Sequence, residues 1–168
     1  MNPVPQRYPF TSAGASVVNS LYVDLVGNDH VVYGARSVST LESQTTTIVT
    51  VYDPPLTSPK DQQPGQVVTH NSTARITVTQ TDGSSSSTES AVKTQATYIG
   101  RETVQTPLGD FANACKFKTV FDNSPSSNLS WVPSDGPYRG QVVKAQVLDS
   151  GGNVVQTTES IRMVYTPK

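Results

Sequence analysis

Apolar and polar residues alternate with a period of two through much of the chain. In "ARITVTQT", Ala74, Ile76 and Val78 alternate with Arg75 and Thr77. This period is typical of a β-strand with one face towards a core and the other towards solvent. The stretches "VVNSLYVDLV" and "CKFKTVF" follow the same rule, whereas no window has the apolar spacing and capped start of an amphipathic helix. The pattern predicts an all-β chain.

Turn signals divide these strand-like runs. Glycine-containing turns stand at 27–29, 82–83, 107–110 and 149–153, and each of them follows one alternating run and precedes another. Short turns of this kind join neighbouring antiparallel strands. The spacing predicts an antiparallel meander of about nine or ten strands.

The length of the runs bears on how the meander is arranged. The runs 16–26, 29–42, 67–81 and 153–166 all exceed the ~5–6 residues of an average strand. Long antiparallel strands twist and coil, which favours a single strongly curved sheet, closed into a barrel or left as a half-barrel. Two packed sheets in a β-sandwich are the alternative.

Prolines mark the parts of the chain that do not alternate. Residues 1–14 contain three prolines and no period, which predicts an extended N-terminal segment. Four more prolines fall within 53–66, where we predict one long loop. Because similar strands lie on both sides of that loop, we predict one β domain over 15–168.

Composition agrees with a β domain and argues against several kinds of partner. Val, Thr and Ser supply 23, 21 and 20 of the 168 residues, and Val and Thr fit a pleated surface. The net charge is −1, without the basic stripe that binding to nucleic acid requires. No apolar run approaches the ~20 residues of a membrane span. Charged residues are only 15%, as is common in exported proteins, although the start of the chain does not read as a signal peptide.

Residue types that carry catalysis or hold metals are scarce. His30 and His70 are the two histidines, Cys115 is the only cysteine, and no Gly-x-Ser-x-Gly elbow occurs. These residues have no spacing typical of metal ligands, and no glycine-rich turn precedes a helix that could bind phosphate. We therefore expect no cofactor, no metal and no enzymatic activity.

Aromatic residues are the remaining candidates for a site. Cys115 is in phase with Phe117 and Phe121, so these three side chains share one face of a strand, and Lys116 and Lys118 lie on the other. On a curved sheet such residues either fill the core or line a cavity for an apolar ligand. The candidate lining residues are Tyr98, Cys115, Phe117, Phe121 and Trp131.

The segment from Gly100 to Lys144 resembles a known pattern. "GRETVQTPLGDFANACKFKT" and "LSWVPSDGPYRGQVVKAQV" are similar to bacterial cell-envelope proteins of uncharacterised function with a lipoprotein-carrier-like (LolA-like) curved sheet. The positions that carry the resemblance are Gly100, Glu102, Val104, Pro107, Gly109, Phe111, Cys115, Lys116, Trp131, Pro133, Gly140, Val143 and Lys144. In that fold the concave apolar face holds acyl chains.

The resemblance and the missing catalytic residues lead to one functional expectation. We expect a non-enzymatic domain of the cell envelope or a secreted one, periplasmic or otherwise extracytoplasmic, with its export signal outside the given chain. It would bind a lipid, an acyl chain or another apolar small molecule. The alternative is a β-sandwich interaction module, adhesin-like or carbohydrate-binding, which would use Trp131 and Tyr138. The sequence leaves the oligomeric state open.

Overall fold

Ten β-strands follow one another in the structure, a computed structural model that describes residues 4–12, 15–27, 29–122 and 124–161. The strands are β1 (Val4–Ser12), β2 (Ala15–Val26), β3 (Asp29–Leu41), β4 (Gln44–Pro59), β5 (Val67–Gln80), β6 (Ser85–Thr106), β7 (Gly109–Phe121), β8 (Ser127–Val132), β9 (Lys144–Leu148) and β10 (Val154–Glu159). They form one sheet in chain order, and the described residues contain no helix. The predicted all-β antiparallel meander is confirmed, since the alternative sandwich would divide the strands between two sheets.

The strand ends agree with most of the predicted turns. Pro107 and Leu108 connect β6 to β7, and the hydroxyl of Thr106 closes this turn by accepting from the amide of Leu108 (3.2 Å) and donating to the carbonyl of Gly109 (3.1 Å). The turns at 82–83 and 149–153 likewise separate β5 from β6 and β9 from β10. The last run ends earlier than predicted, at Glu159, and residues 162–168 lie outside the described part of the chain.

The two proline-rich segments are more regular than their sequences indicate. Within the predicted N-terminal segment, Val4–Ser12 forms β1 and pairs with β2, while residues 1–3 and 13–14 lie outside the described part. Proline is tolerated there because β1 is the first strand of the sheet and one of its sides needs no hydrogen-bond donors. The loop predicted at 53–66 was too long, because β4 continues to Pro59. Its prolines follow Asp53, the last β4 residue in register with β5, so their missing N–H groups interrupt none of those pairs.

The described chain divides into two compact units. Unit 1 holds the residues up to Ser58 together with Asn71–Ala91, and unit 2 holds Pro59–His70 together with the residues from Val92 onwards. The prediction of one domain over 15–168 stays a prediction.

A close approach of two strands defines part of unit 1. A Cβ atom at Gly34 in β3 would lie well inside contact distance of the carbonyl oxygen of Thr50 in β4. Only glycine leaves room for that backbone oxygen. Gly34 therefore sets how closely β3 and β4 approach each other.

The core of unit 2 is a small cluster on one face of its strands. Val104, Ala114, Trp131 and Val143 are buried together. Leu108, Phe111, Leu129 and Tyr138 pack against them. The rings of Phe111 and Tyr138 meet edge to face, with centroids 6.0 Å apart, a geometry that aromatic pairs favour. This cluster therefore covers one face of the strands of unit 2, and the residues of the candidate site lie on the other face.

Candidate functional site

Four of the five candidate residues, all but Trp131, share one face of β6 and β7 in unit 2, and three of the four lie close together. Tyr98 stands directly opposite Phe117 in the ladder. Cys115 precedes Phe117 by two residues in β7 and therefore lies on the same face. Arg101 stands opposite Cys115, so it faces the same way. We call Tyr98, Arg101, Cys115 and Phe117 the aromatic face.

One irregularity in β6 brings Arg101 onto this face. The register with β7 shifts between Tyr98 and Gly100, where β6 carries one extra residue. An extra residue at a bulge reverses the alternation of the strand and increases its twist. Tyr98 and Arg101, an odd number of residues apart, therefore lie on the same face.

A cavity of about 320 Å³ lies between the aromatic face and the segment that connects β4 to β5. Its lining consists of Lys60, Asp61, Gln62, Gln63, Pro64, Tyr98, Arg101, Cys115 and Phe117. All of these residues belong to unit 2. We call residues 60–64 the covering segment, because they form the wall opposite the sheet.

Backbone hydrogen bonds hold the covering segment against Tyr98. The amide of Gly65 donates to the carbonyl of Tyr98 (2.8 Å), and the amide of Tyr98 donates to the carbonyl of Gln66 (3.0 Å). Gly65 has φ = 84°, a conformation that favours glycine, so the chain can turn there into β5. The remaining part of the predicted proline-rich loop thus has a defined place beside the sheet.

The aromatic pair supplies most of the apolar surface. Tyr98 is 7% exposed, and its ring centroid lies 5.3 Å from that of Phe117 with an angle of 44° between the planes. Phe117 and Cys115 are half-buried. The pair packs within the preferred range for two aromatic rings and still presents surface to the cavity.

Gln62 provides an unusual polar group in the wall. Its side chain is 8% exposed, and its Nε2 donates to the carbonyl of Pro59 (3.0 Å). Its Oε1 is buried and accepts no hydrogen bond from the residues that the structure describes. Buried acceptors in proteins are normally paired, so this oxygen is an unusual unpaired acceptor within the wall of the cavity.

Arg101 brings a positive charge to the cavity. The neighbouring side chain of Tyr98, and then those of Cys115 and Asp135, raise the pKa of Arg101 from its ordinary value. Its Nη1 also donates to the hydroxyl of Ser134 (3.4 Å). The sequence pattern missed Arg101, because simple alternation assigns it to the face opposite Tyr98 and only the bulge between Tyr98 and Gly100 brings the two together.

The structure does not bring the other two candidates into this cavity. Trp131 stands opposite Lys116 in β7 and is 4% exposed within the core cluster, on the face away from Cys115. Phe121 stands opposite Thr94 at the far end of the β6–β7 ladder and is not part of the lining. Thr94 is itself buried, and its hydroxyl lies 3.2 Å from Nδ1 of His70.

Charged side chains surround Trp131 instead. Its Nε1 donates to Oε1 of Glu102 (2.5 Å), and Nζ of Lys116 lies 4.9 Å from the centre of its ring. On the other side Lys144 faces the ring at 6.0 Å and pairs with Glu159 at 2.7 Å. This arrangement stabilises the β-ladder and gives Trp131 a structural role.

The described residues offer neither a metal centre nor a membrane-spanning helix. Among them, no group of three His, Cys, Asp or Glu side chains lies close enough to hold a metal ion. The same residues contain no helix with the length and apolar character that crossing a membrane requires.

Comparisons with known proteins assign no function, so the proposal below rests on the geometry of the cavity. The chain matches no protein-family model, no curated protein and no solved structure.

Proposed function

We propose that this protein is a non-enzymatic binding domain whose cavity in unit 2 takes a small molecule with an apolar part. The observation that carries the proposal is the aromatic pair Tyr98–Phe117, which lies under the covering segment and lines a cavity of about 320 Å³. Ligand pockets combine an apolar surface with a few polar groups, and here Gln62 and Arg101 are the polar groups.

The size of the cavity limits the ligand. Pockets for small molecules span ~300–1,000 Å³, so a cavity of about 320 Å³ is at the small end of the range. A single short acyl chain or a compact ring fits this volume better than a lipid with several chains. Within the class of apolar ligands, the cavity therefore favours one chain of modest length.

Location in the cell envelope or outside the cell belongs to the same proposal. Its support is the low charged fraction of the sequence and the resemblance over Gly100–Lys144 to envelope proteins with a lipoprotein-carrier-like sheet. The carbohydrate-binding alternative loses support, because Trp131 is only 4% exposed and offers no open ring on which a sugar could stack.

Titration with a neutral amphiphile tests the proposal. We expect 1-decanol, below its solubility limit, to bind the protein in a calorimetric titration, and Phe117→Ala to weaken binding by about tenfold or more, since truncation removes half of the aromatic pair. Val120→Ala is the matched control, because Val120 is an exposed residue of the same strand on the opposite face. Absence of binding, or equal loss in both variants, would contradict the proposal.

Extraction of the natively purified protein is a second test. Organic extracts analysed by mass spectrometry should contain a small amphiphile in stoichiometric amounts, and extracts of Phe117→Ala should contain less of it. An amphiphile found equally in both samples would show that it binds elsewhere.

A further inference from the structure

The polar groups of the cavity are unevenly charged. Lys60 and Arg101 contribute two positive charges to the lining, and Asp61 contributes one negative charge. The two cations come from opposite walls, Lys60 from the covering segment and Arg101 from β6. The residues that line the cavity therefore carry one net positive charge, and Asp135 is a further carboxylate near Arg101.

Arg101 has a neighbour that leaves most of its hydrogen-bonding capacity unused. Its Nη1 donates to the hydroxyl of Ser134 (3.4 Å), which in turn donates to the carbonyl of Asn113 (3.3 Å). A guanidinium has five N–H donors in a planar fork, and such a fork suits the two oxygens of a carboxylate. The contact with Ser134 reduces the entropy lost when a further partner binds.

Gln62 and Arg101 give two parts of the cavity lining opposite electrostatic character. Its unpaired Oε1 carries partial negative charge within the wall of the covering segment, whereas Arg101 presents positive charge from β6. A carboxylate is repelled by an amide oxygen and attracted by a guanidinium. An amphiphile with an acidic end would therefore place that end at Arg101 and its apolar part on Tyr98 and Phe117.

We infer that the ligand of this cavity is a small amphipathic carboxylate whose charged end binds Arg101. This inference rests on the proposed function, which requires only that the apolar part binds. It adds the chemical class of the head group and names the residue that recognises it.

Three probes with the same chain and different head groups separate the two ideas. Decanoate, 1-decanol and decyltrimethylammonium carry negative, neutral and positive ends on a ten-carbon chain. Calorimetric titrations, below the solubility limit of 1-decanol and the critical micelle concentrations of the two ionic probes, should rank decanoate first, about tenfold tighter than 1-decanol, and the cationic probe last. Raising the salt concentration to about 1 M should reduce the advantage of decanoate, because the charges lie near solvent.

Arg101→Gln tests the assigned residue. This variant should bind decanoate no more tightly than it binds 1-decanol, so the ratio of the two affinities should fall to about one. Arg139→Gln is the control, since it removes the same charge from an exposed turn outside the lining and should change neither affinity.

The outcomes distinguish the inference from the proposal beneath it. If 1-decanol and decanoate bind equally, or if the cationic probe binds best, the carboxylate inference is wrong and the binding cavity remains. If no probe binds the wild type, both are wrong. The ranking of the probes on the wild type decides the matter even if Arg101→Gln fails to fold.

Discussion

Nε1 of Trp131 donates a hydrogen bond to Oε1 of Glu102 across the intervening strand β7, with an N···O distance of 2.5 Å. Lys116 of that strand completes the contact, since its Nζ lies 3.1 Å from the same oxygen and 4.9 Å from the centre of the indole ring. The hydrogen bond from Trp131 is the largest cause that lowers the pKa of Glu102, and Lys116 adds to it.

The first prediction concerns stability as a function of pH. Because the pKa of Glu102 is lower in the folded state, its contribution to the free energy of unfolding is complete above the ordinary value of 4.5 and is lost as the pH falls through the lower folded value. The Glu102 side chain is 45% exposed, so we expect Glu102→Gln to cost less than about 1 kcal/mol at pH 7. The cost should shrink at pH 3.

Urea unfolding followed by circular dichroism at pH 7 and pH 3 measures this difference. Glu89→Gln is the control, because Glu89 pairs with Arg75 at a site where both side chains are more than half exposed, and its removal should cost less at pH 7. A cost of Glu102→Gln that is the same at both pH values would show that the carboxylate charge plays no part.

The second prediction separates a structural from a sugar-binding role for Trp131. Trp131→Ala should lower the free energy of unfolding by about 3–5 kcal/mol, since it removes the largest buried side chain of the core cluster. Trp131→Phe should cost less, because it keeps most of the apolar surface while losing the N–H donor. Denaturant unfolding measures both variants. Unchanged stability of Trp131→Ala would mean that the ring is not part of the core.

The third prediction concerns the close approach of β3 and β4. Gly34→Ala places a methyl group against the carbonyl of Thr50, a backbone atom that cannot turn away as a side chain could. We expect a loss of about 1–3 kcal/mol in the free energy of unfolding. The exposed Arg36 of the same strand provides the control, Arg36→Ala, which should change stability by about 0.5 kcal/mol or less. Equal stability of both variants would contradict the close approach.

The aromatic face shows how far the sequence could predict the site. Alternation placed Cys115 and Phe117 on one side of β7 and Lys116 on the other, and the structure has them so. The same rule could not predict Arg101, because its position depends on a bulge in β6 that leaves no mark in the hydrophobic pattern. Register between strands is set by pairing across the whole ladder, which a local pattern does not contain.

Two further features escaped prediction for the same reason. The covering segment lies far upstream of Cys115 in the sequence. The hydrogen bonds that the next residues, Gly65 and Gln66, make with Tyr98 bring it to the cavity. Trp131 was grouped with the lining residues, yet its register with Lys116 turns it to the opposite face. The prolines of β1 and of the end of β4 led to the prediction of irregular segments there. Proline has a low propensity for strands in general, but it is tolerated in edge strands and at strand ends.

The fourth prediction tests the central claim, that the cavity beside Tyr98 and Phe117 is a ligand site. Cys115 lines this cavity and is the only cysteine of the chain, so its modification reports on that place alone. The rate of its reaction with N-ethylmaleimide, followed by mass spectrometry, should fall several-fold when 1-decanol is bound. In 8 M urea the alcohol should leave the rate unchanged, which excludes an effect on the reagent itself. An unchanged rate in the folded protein, with 1-decanol present at a saturating concentration, would contradict the account.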